Sequence, residues 1–130
     1  MKQIDESYVD RLEYCIKEAV KNKDKYAFID PAYDIVDEIS ELDNAIDYLE
    51  PLLSLIERSP AIDFGGPGPI GTFIETFYKN GYEEELVKSL LRKPRIYTVF
   101  LLRRLLRDPT LENVEFYSSL LNSIQPEEIF

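Results

Sequence analysis

Apolar residues recur three and four positions apart along most of this chain, and no stretch alternates apolar and polar as a half-buried strand would. From Ser7 to about Lys21, "SYVDRLEYCIKEAVK" has that spacing and ends in lysines that suit the negative end of a helix dipole, which predicts a first helix. Asp30-Pro31 then reads as an N-cap followed by a proline at the first helical position, where the missing N–H costs nothing, so a second helix is expected to start there. Within 31–58, Ile35, Ile39, Leu42, Ile46, Leu49, Leu53 and Ile56 form a continuous stripe that Pro51 interrupts. Two outcomes fit: one long kinked helix, or two helices with a break between 40 and 51.

Downstream, "SPAIDFGGPGP" (59–69) is the one long breaker-rich connection. Ile70, Phe73, Ile74, Phe77 and Tyr78 follow at helical spacing, and Asn80-Gly81 is expected to end that helix through a left-handed residue. "YEEELVKSLLRK" carries glutamates in its first turn and Arg92-Lys93 in its last. Pro94 opens "PRIYTVFLLRRLLRD", whose apolar residues cover most of the circumference and mark it as the most buried helix, and Val114, Tyr117, Leu121 and Ile124 define a last one. The expected fold is all-α, stacked antiparallel αα-hairpins of a HEAT-like or irregular bundle type with six to seven helices, in a single helical domain spanning 1–130.

Composition narrows the chemistry. There is no histidine to serve as base or metal ligand, and no serine, threonine or cysteine has an evident activating partner, so no catalytic residue, metal ligand or cofactor is assigned. The lone Cys15 sits on an apolar face with Tyr8, Leu12 and Ala19 and reads as core filler. "DIVDE" resembles carboxylate pairs that hold magnesium only superficially. The loop before Ile70 does not read as a phosphate cradle, because Pro67 and Pro69 delete two backbone donors and no Lys-Ser or Lys-Thr follows. Its glycines instead turn the chain, Pro69 starts a helix, and Gly71 permits close packing.

The net charge of −10 argues against nucleic acid and anionic membrane as partners and favours a basic one. No apolar run is long enough to span a bilayer and the charged N-terminus lacks a signal-like stretch, so a cytoplasmic location is expected. The charge is also unevenly placed: residues 1–63 hold 16 acids and 7 bases, residues 64–130 hold 9 and 8. Residues 26–57 contain nine acids and no base, whereas 86–107 contain Lys88, Arg92, Lys93, Arg95, Arg103, Arg104 and Arg107 and no acid. Projected on a helix, Asp34, Asp37, Glu38 and Glu41 fall on one side of the apolar stripe, and Asp43, Asp47 and Glu50 on the other. A solvated face would ordinarily intersperse lysines, so these seven acids are the candidate partner-binding surface. The basic segment could instead pair internally with the acidic helices, which would reduce that surface.

The run "GGPGPIGTFIETFYKNGYEEELVKSLLRKPRIYTVFLLRRLL", about a third of the chain, resembles a group of small all-helical bacterial immunity proteins of polymorphic or contact-dependent toxin systems. Shared are the Gly-Pro-Gly-Pro opening, an aromatic helix with a central glutamate, a Tyr-Glu-Glu helix and an aromatic-aliphatic helix. Where that family carries a histidine after the opening and an Asn-Arg pair late in the hydrophobic helix, this chain has Gly71-Thr72 and Arg103-Arg104. The resemblance implies a cytosolic protein that binds and blocks one cognate toxin, commonly a nuclease, and it transfers no toxin-contact residue. The alternative is a helical adaptor or regulatory module that holds a peptide or helix without catalysis.

Overall fold

A computed structural model describes residues 3–129, and among these all regular structure is helical. Helix α1 (Glu6–Asn22) begins where the Asp5 side chain accepts from the Ser7 N–H at 2.9 Å, and ends at a left-handed Lys23 whose N–H reaches back to Ala19 and Val20. Its inner face buries Val9, Leu12, Cys15, Ile16 and Ala19, which gives the lone cysteine its place in the core. Desolvation there raises the Cys15 thiol pKa, so the side chain behaves as a small apolar group.

Helix α2 (Tyr26–Ser40) starts earlier than Asp30-Pro31 suggests. Its N-cap is Lys25, preceded by a turn in which Asp24 accepts from the Tyr26 N–H at 3.0 Å, and Pro31 lies inside the helix, where it forgoes one backbone hydrogen bond. Burial decides in favour of the longer helix: Phe28, in the added turn, has no exposed surface and meets Phe64 edge to face.

No helix spans residues 41–44; a 3-10 turn (Ala45–Tyr48) then leads into α3 (Leu49–Arg58). The stretch 31–58 is therefore two helices, with the break inside the expected window. Pro51 becomes the third residue of α3, a position whose N–H has no intrahelical acceptor, so the proline marks a helix start and no kink. Two bonds anchor the junction to the start of the chain: the Tyr48 hydroxyl accepts from the Asp5 N–H at 2.8 Å, and Asn44 Nδ2 donates to the Gln3 carbonyl at 2.6 Å. Ile46 drops out of the apolar stripe and is 42% exposed, since the break removes the helical phase that aligned it.

Helices α4 (Gly68–Glu75), α5 (Tyr82–Arg92), α6 (Ile96–Leu105) and α7 (Val114–Ser123) complete the chain. Helix α4 stops before the end of its apolar stripe: Phe77 and Tyr78 lie in the following turn, and Lys79 and Gly81 adopt the positive φ expected of Asn80-Gly81. Pro94 precedes α6 by two residues; Arg95 enters in extended conformation and its N–H donates to Thr98 Oγ1 at 3.0 Å. Six of the ten α6 residues are buried, but the short α4 buries six of its eight, so α4 and not α6 is the most enclosed helix, its small Gly71 lying against Tyr97; α7 buries none. Neighbours in sequence pack as α1 on α2, α5 on α6 and α6 on α7, while α1 also meets α3, α2 meets α4 and α3 meets α5. Those three skipped pairings make the bundle irregular, around one hydrophobic cluster that runs from Val9 to Leu111.

Candidate docking surface

Helix α2 carries two opposed faces. At about 100° per residue its buried positions Phe28, Ala32, Ile35, Val36 and Ile39 centre on one side, and Asp30, Asp34, Asp37 and Glu41 fall within about 60° of arc on the other. All four of those acids are exposed, and no cation among the described residues pairs with any of them. They form a carboxylate ridge along α2.

Glu38 faces α1. It receives a two-pronged contact from Arg11, with Nη2–Oε2 at 2.8 Å and Nη1–Oε1 at 3.2 Å. The shared hydrogen bond lowers the Glu38 carboxyl pKa and raises that of the Arg11 guanidinium. Of the seven acids singled out in the sequence, Glu38 thus joins two helices, and only Asp34, Asp37 and Glu41 stand together on the ridge.

Asp43, Asp47 and Glu50 lie beyond the helix break, so the projection that set them along one continuous helix does not apply. Asp43 is exposed in the turn, Asp47 is half-buried in the 3-10 segment, and Glu50 occupies the first turn of α3, where the helix dipole favours it. Glu50 and Glu57 both help raise the pKa of Arg92.

The acid-free segment is largely turned to internal use. Arg92 binds Glu57 with Nη2–Oε2 at 2.8 Å, and the buried Ser89 hydroxyl donates to the same carboxylate at 2.7 Å. Arg104 grips Glu75 at 2.8 and 3.0 Å, Lys88 approaches Glu85 at 3.4 Å, and Arg95 donates to the Ser59 carbonyl at 2.7 Å. Lys93, Arg103 and Arg107 remain exposed. The expected internal pairing is real, and within the acid-only segment it engages Glu57 and leaves the α2 ridge untouched. The sequence's sign segregation therefore survives at the surface.

Next to the ridge is a feature that the sequence did not disclose. A groove of about 330 Å³ runs between α2 and α4, with Tyr33, Val36, Asp37 and Ser40 on one wall and Pro69, Thr72, Phe73, Thr76 and Phe77 on the other. On the α2 wheel Tyr33 and Ser40 fall between the core face and the carboxylate ridge, so the groove borders the ridge along its length. Tyr33 is 44% exposed there. The only sequence signal was an aromatic at the margin of a core stripe; that α4 is the opposing wall depends on a pairing that skips one helix.

The glycine-rich loop serves packing. Asp63 Oδ1 accepts from the Gly65 N–H at 2.9 Å while Oδ2 meets Lys25 at 3.1 Å. Phe64 is buried between Phe28 and Tyr97. The Gly66-Pro67 bond is cis, and the Tyr97 hydroxyl donates to the Pro67 carbonyl. No three carboxylates or other ligating side chains among the described residues converge as a metal site would require, the acids of "DIVDE" included. No helix among the described residues is long and apolar enough to cross a membrane. Among known proteins, the chain matches no family model, no curated protein and no solved structure.

Proposed function

We propose that this protein is a cytoplasmic immunity protein that binds a basic cognate toxin, a nuclease by preference, and blocks it by stoichiometric association through the acidic face of α2. The observation that carries the reading is the asymmetry of pairing: Lys88, Arg92 and Arg104 of the acid-free segment pair with Glu85, Glu57 and Glu75, while Asp30, Asp34, Asp37 and Glu41 face solvent with no cation among the described residues. Like charges held together cost stability, and occupying the positive cleft of a partner offsets that cost. Complementary fields also raise association to about 10⁸–10⁹ M⁻¹s⁻¹ at low salt, which suits a protein that must capture toxin on arrival. The resemblance of residues 65–106 to immunity proteins supports the same role.

Co-expression with the toxin encoded beside its gene tests the proposal: growth should be restored, and purified protein should recover that toxin in a one-to-one complex. Growth arrest despite soluble expression of both proteins would refute it. The apolar groove favours a second reading, a helical adaptor that holds a peptide. Gene context separates the two, a toxin gene alongside supporting immunity and a metabolic or signalling operon supporting the adaptor.

A further inference from the structure

We infer that the α2–α4 groove is the anchoring point of the docking surface, and that its occupant is a large apolar side chain presented on a lysine- or arginine-flanked segment of the partner. The inference rests on the proposed acidic docking face and deepens it by naming the contact that gives affinity.

Two properties of the groove coincide. Its lining is mainly apolar, with Val36, Pro69, Phe73 and Phe77 beside the half-exposed ring of Tyr33. Two of its polar lining groups are bonded to the backbone: Ser40 Oγ donates to the Asp37 carbonyl at 2.7 Å, and Thr76 Oγ1 to the Phe73 carbonyl at 2.6 Å. An apolar side chain would exchange water for aromatic and aliphatic surface, the arrangement of an interface anchor.

Charge then selects what carries that side chain. Asp37 lines the groove itself, and Asp34 and Glu41 lie one helical turn to either side on the same ridge. On the α4 wall the exposed residues are Thr72 and Thr76, which are neutral. An apolar group flanked by acids would be repelled along the whole length of the ridge, whereas one flanked by lysines or arginines would place cations over Asp34, Asp37 and Glu41 as it entered. The ridge steers, and the groove holds.

Three synthetic amphipathic peptides, titrated into the isotope-labelled full-length protein and followed by backbone amide shifts, test this: one with lysines flanking a phenylalanine, one with alanine in its place, and one with glutamates flanking the phenylalanine. The lysine–phenylalanine peptide should shift Tyr33, Val36, Thr72, Phe73 and Thr76 together with the ridge. Its alanine counterpart should bind roughly tenfold more weakly and shift the ridge alone, the difference between burying a ring and a methyl group in a partly open groove. Thr72→Phe, a substitution at an exposed position that fills the groove, should abolish the advantage of the phenylalanine peptide and leave the weak ridge binding intact. Equal binding of both lysine peptides, with no shift in the groove, would overturn the anchor while leaving the acidic docking face standing. Equal groove binding by the glutamate peptide would overturn the basic partner. Shifts at neither ridge nor groove with any peptide would remove both readings.

Discussion

Gly71 lies directly beneath the hydroxyl of Tyr97: a Cβ at this position would collide with that oxygen and come within 2.6 Å of the Pro67 Cβ. The contact joins α4, α6 and the preceding loop at one point, because the same hydroxyl donates to the Pro67 carbonyl. Gly71 has no positive φ, so the missing side chain is required by proximity and not by backbone conformation.

Gly71→Ala should therefore destabilise the fold by about 1–3 kcal/mol through overpacking. Helix propensity alone would favour alanine by about 1 kcal/mol, so the sign of the change separates the two effects. A urea midpoint that rises or holds steady would refute the close packing.

Paired and unpaired acids should differ in stability. Glu57→Ala removes the acceptor of both Arg92 and the buried Ser89 hydroxyl and should cost about 1–3 kcal/mol. Asp34→Ala, on the ridge, should stay within about 0.5 kcal/mol of the parent. Comparable losses in thermal melts of the two variants would contradict the assignment.

The hydrogen bond at 2.5 Å between the Tyr78 hydroxyl and Asp108 sets a pH window at each end of the stability curve. It leads the causes that hold the Asp108 carboxyl at about 2 against an ordinary 3.8, with the Thr110 N–H and hydroxyl adding to it. A depressed carboxyl stabilises the fold above its unfolded value, so this contribution is lost as pH falls from 3.8 to about 2. The same bond raises Tyr78 from 10.0 to about 12, and its contribution, complete below 10.0, is lost as pH rises through that interval. Tyr78→Phe should flatten the acid limb, measured by melting temperature between those pH values. Burial also raises the Tyr82 and Tyr97 phenols, so an alkaline limb should persist in that variant.

Tyr82 is buried with no hydrogen-bond partner for its hydroxyl among the described residues. Removing an unpaired buried polar atom relieves its desolvation, so Tyr82→Phe should be neutral or stabilising by up to about 2 kcal/mol and should soften the alkaline loss of stability. A loss larger than about 1 kcal/mol in chemical denaturation would show that the hydroxyl contributes more than its surroundings indicate.

Reversal of Asp34, Asp37 and Glu41 to lysine should slow association with the basic partner by roughly tenfold and flatten its salt dependence. Glu38 is left intact, since its reversal would break the contact with Arg11 and confound binding with folding. Glu84, Glu112 and Glu115, all exposed and away from α2, form the control, and both variants change the net charge equally. Stopped-flow rates that fall alike in both would assign the effect to net charge alone.

Which parts were legible follows the range of the forces involved. Charge order in α5 and apolar spacing in α1 act within a few turns, and both helices lie within one residue of their expected bounds. The start of α2 was misplaced because Asp30-Pro31 has the chemistry of a cap, while the burial of Phe28 favours an earlier start, after the turn at Asp24. The stripe from Ile35 to Ile56 reads as continuous, yet Ile46 is exposed, because a seven-residue apolar repeat does not reveal whether the backbone between its members remains helical.

By itself the sequence determined an all-helical chain, most of its helix boundaries, the close approach required at Gly71 and an acid excess concentrated in residues 26–57. Those properties depend on local hydrogen bonding, side-chain volume and composition. Only the tertiary structure decided that α2 packs on α4 as well as α1, that Arg11 takes Glu38 while Arg92 takes Glu57, and that Asp34, Asp37 and Glu41 are left facing solvent beside an apolar groove. Such outcomes join residues far apart in the chain, and which pairs form is set by how whole helix faces bury against one another.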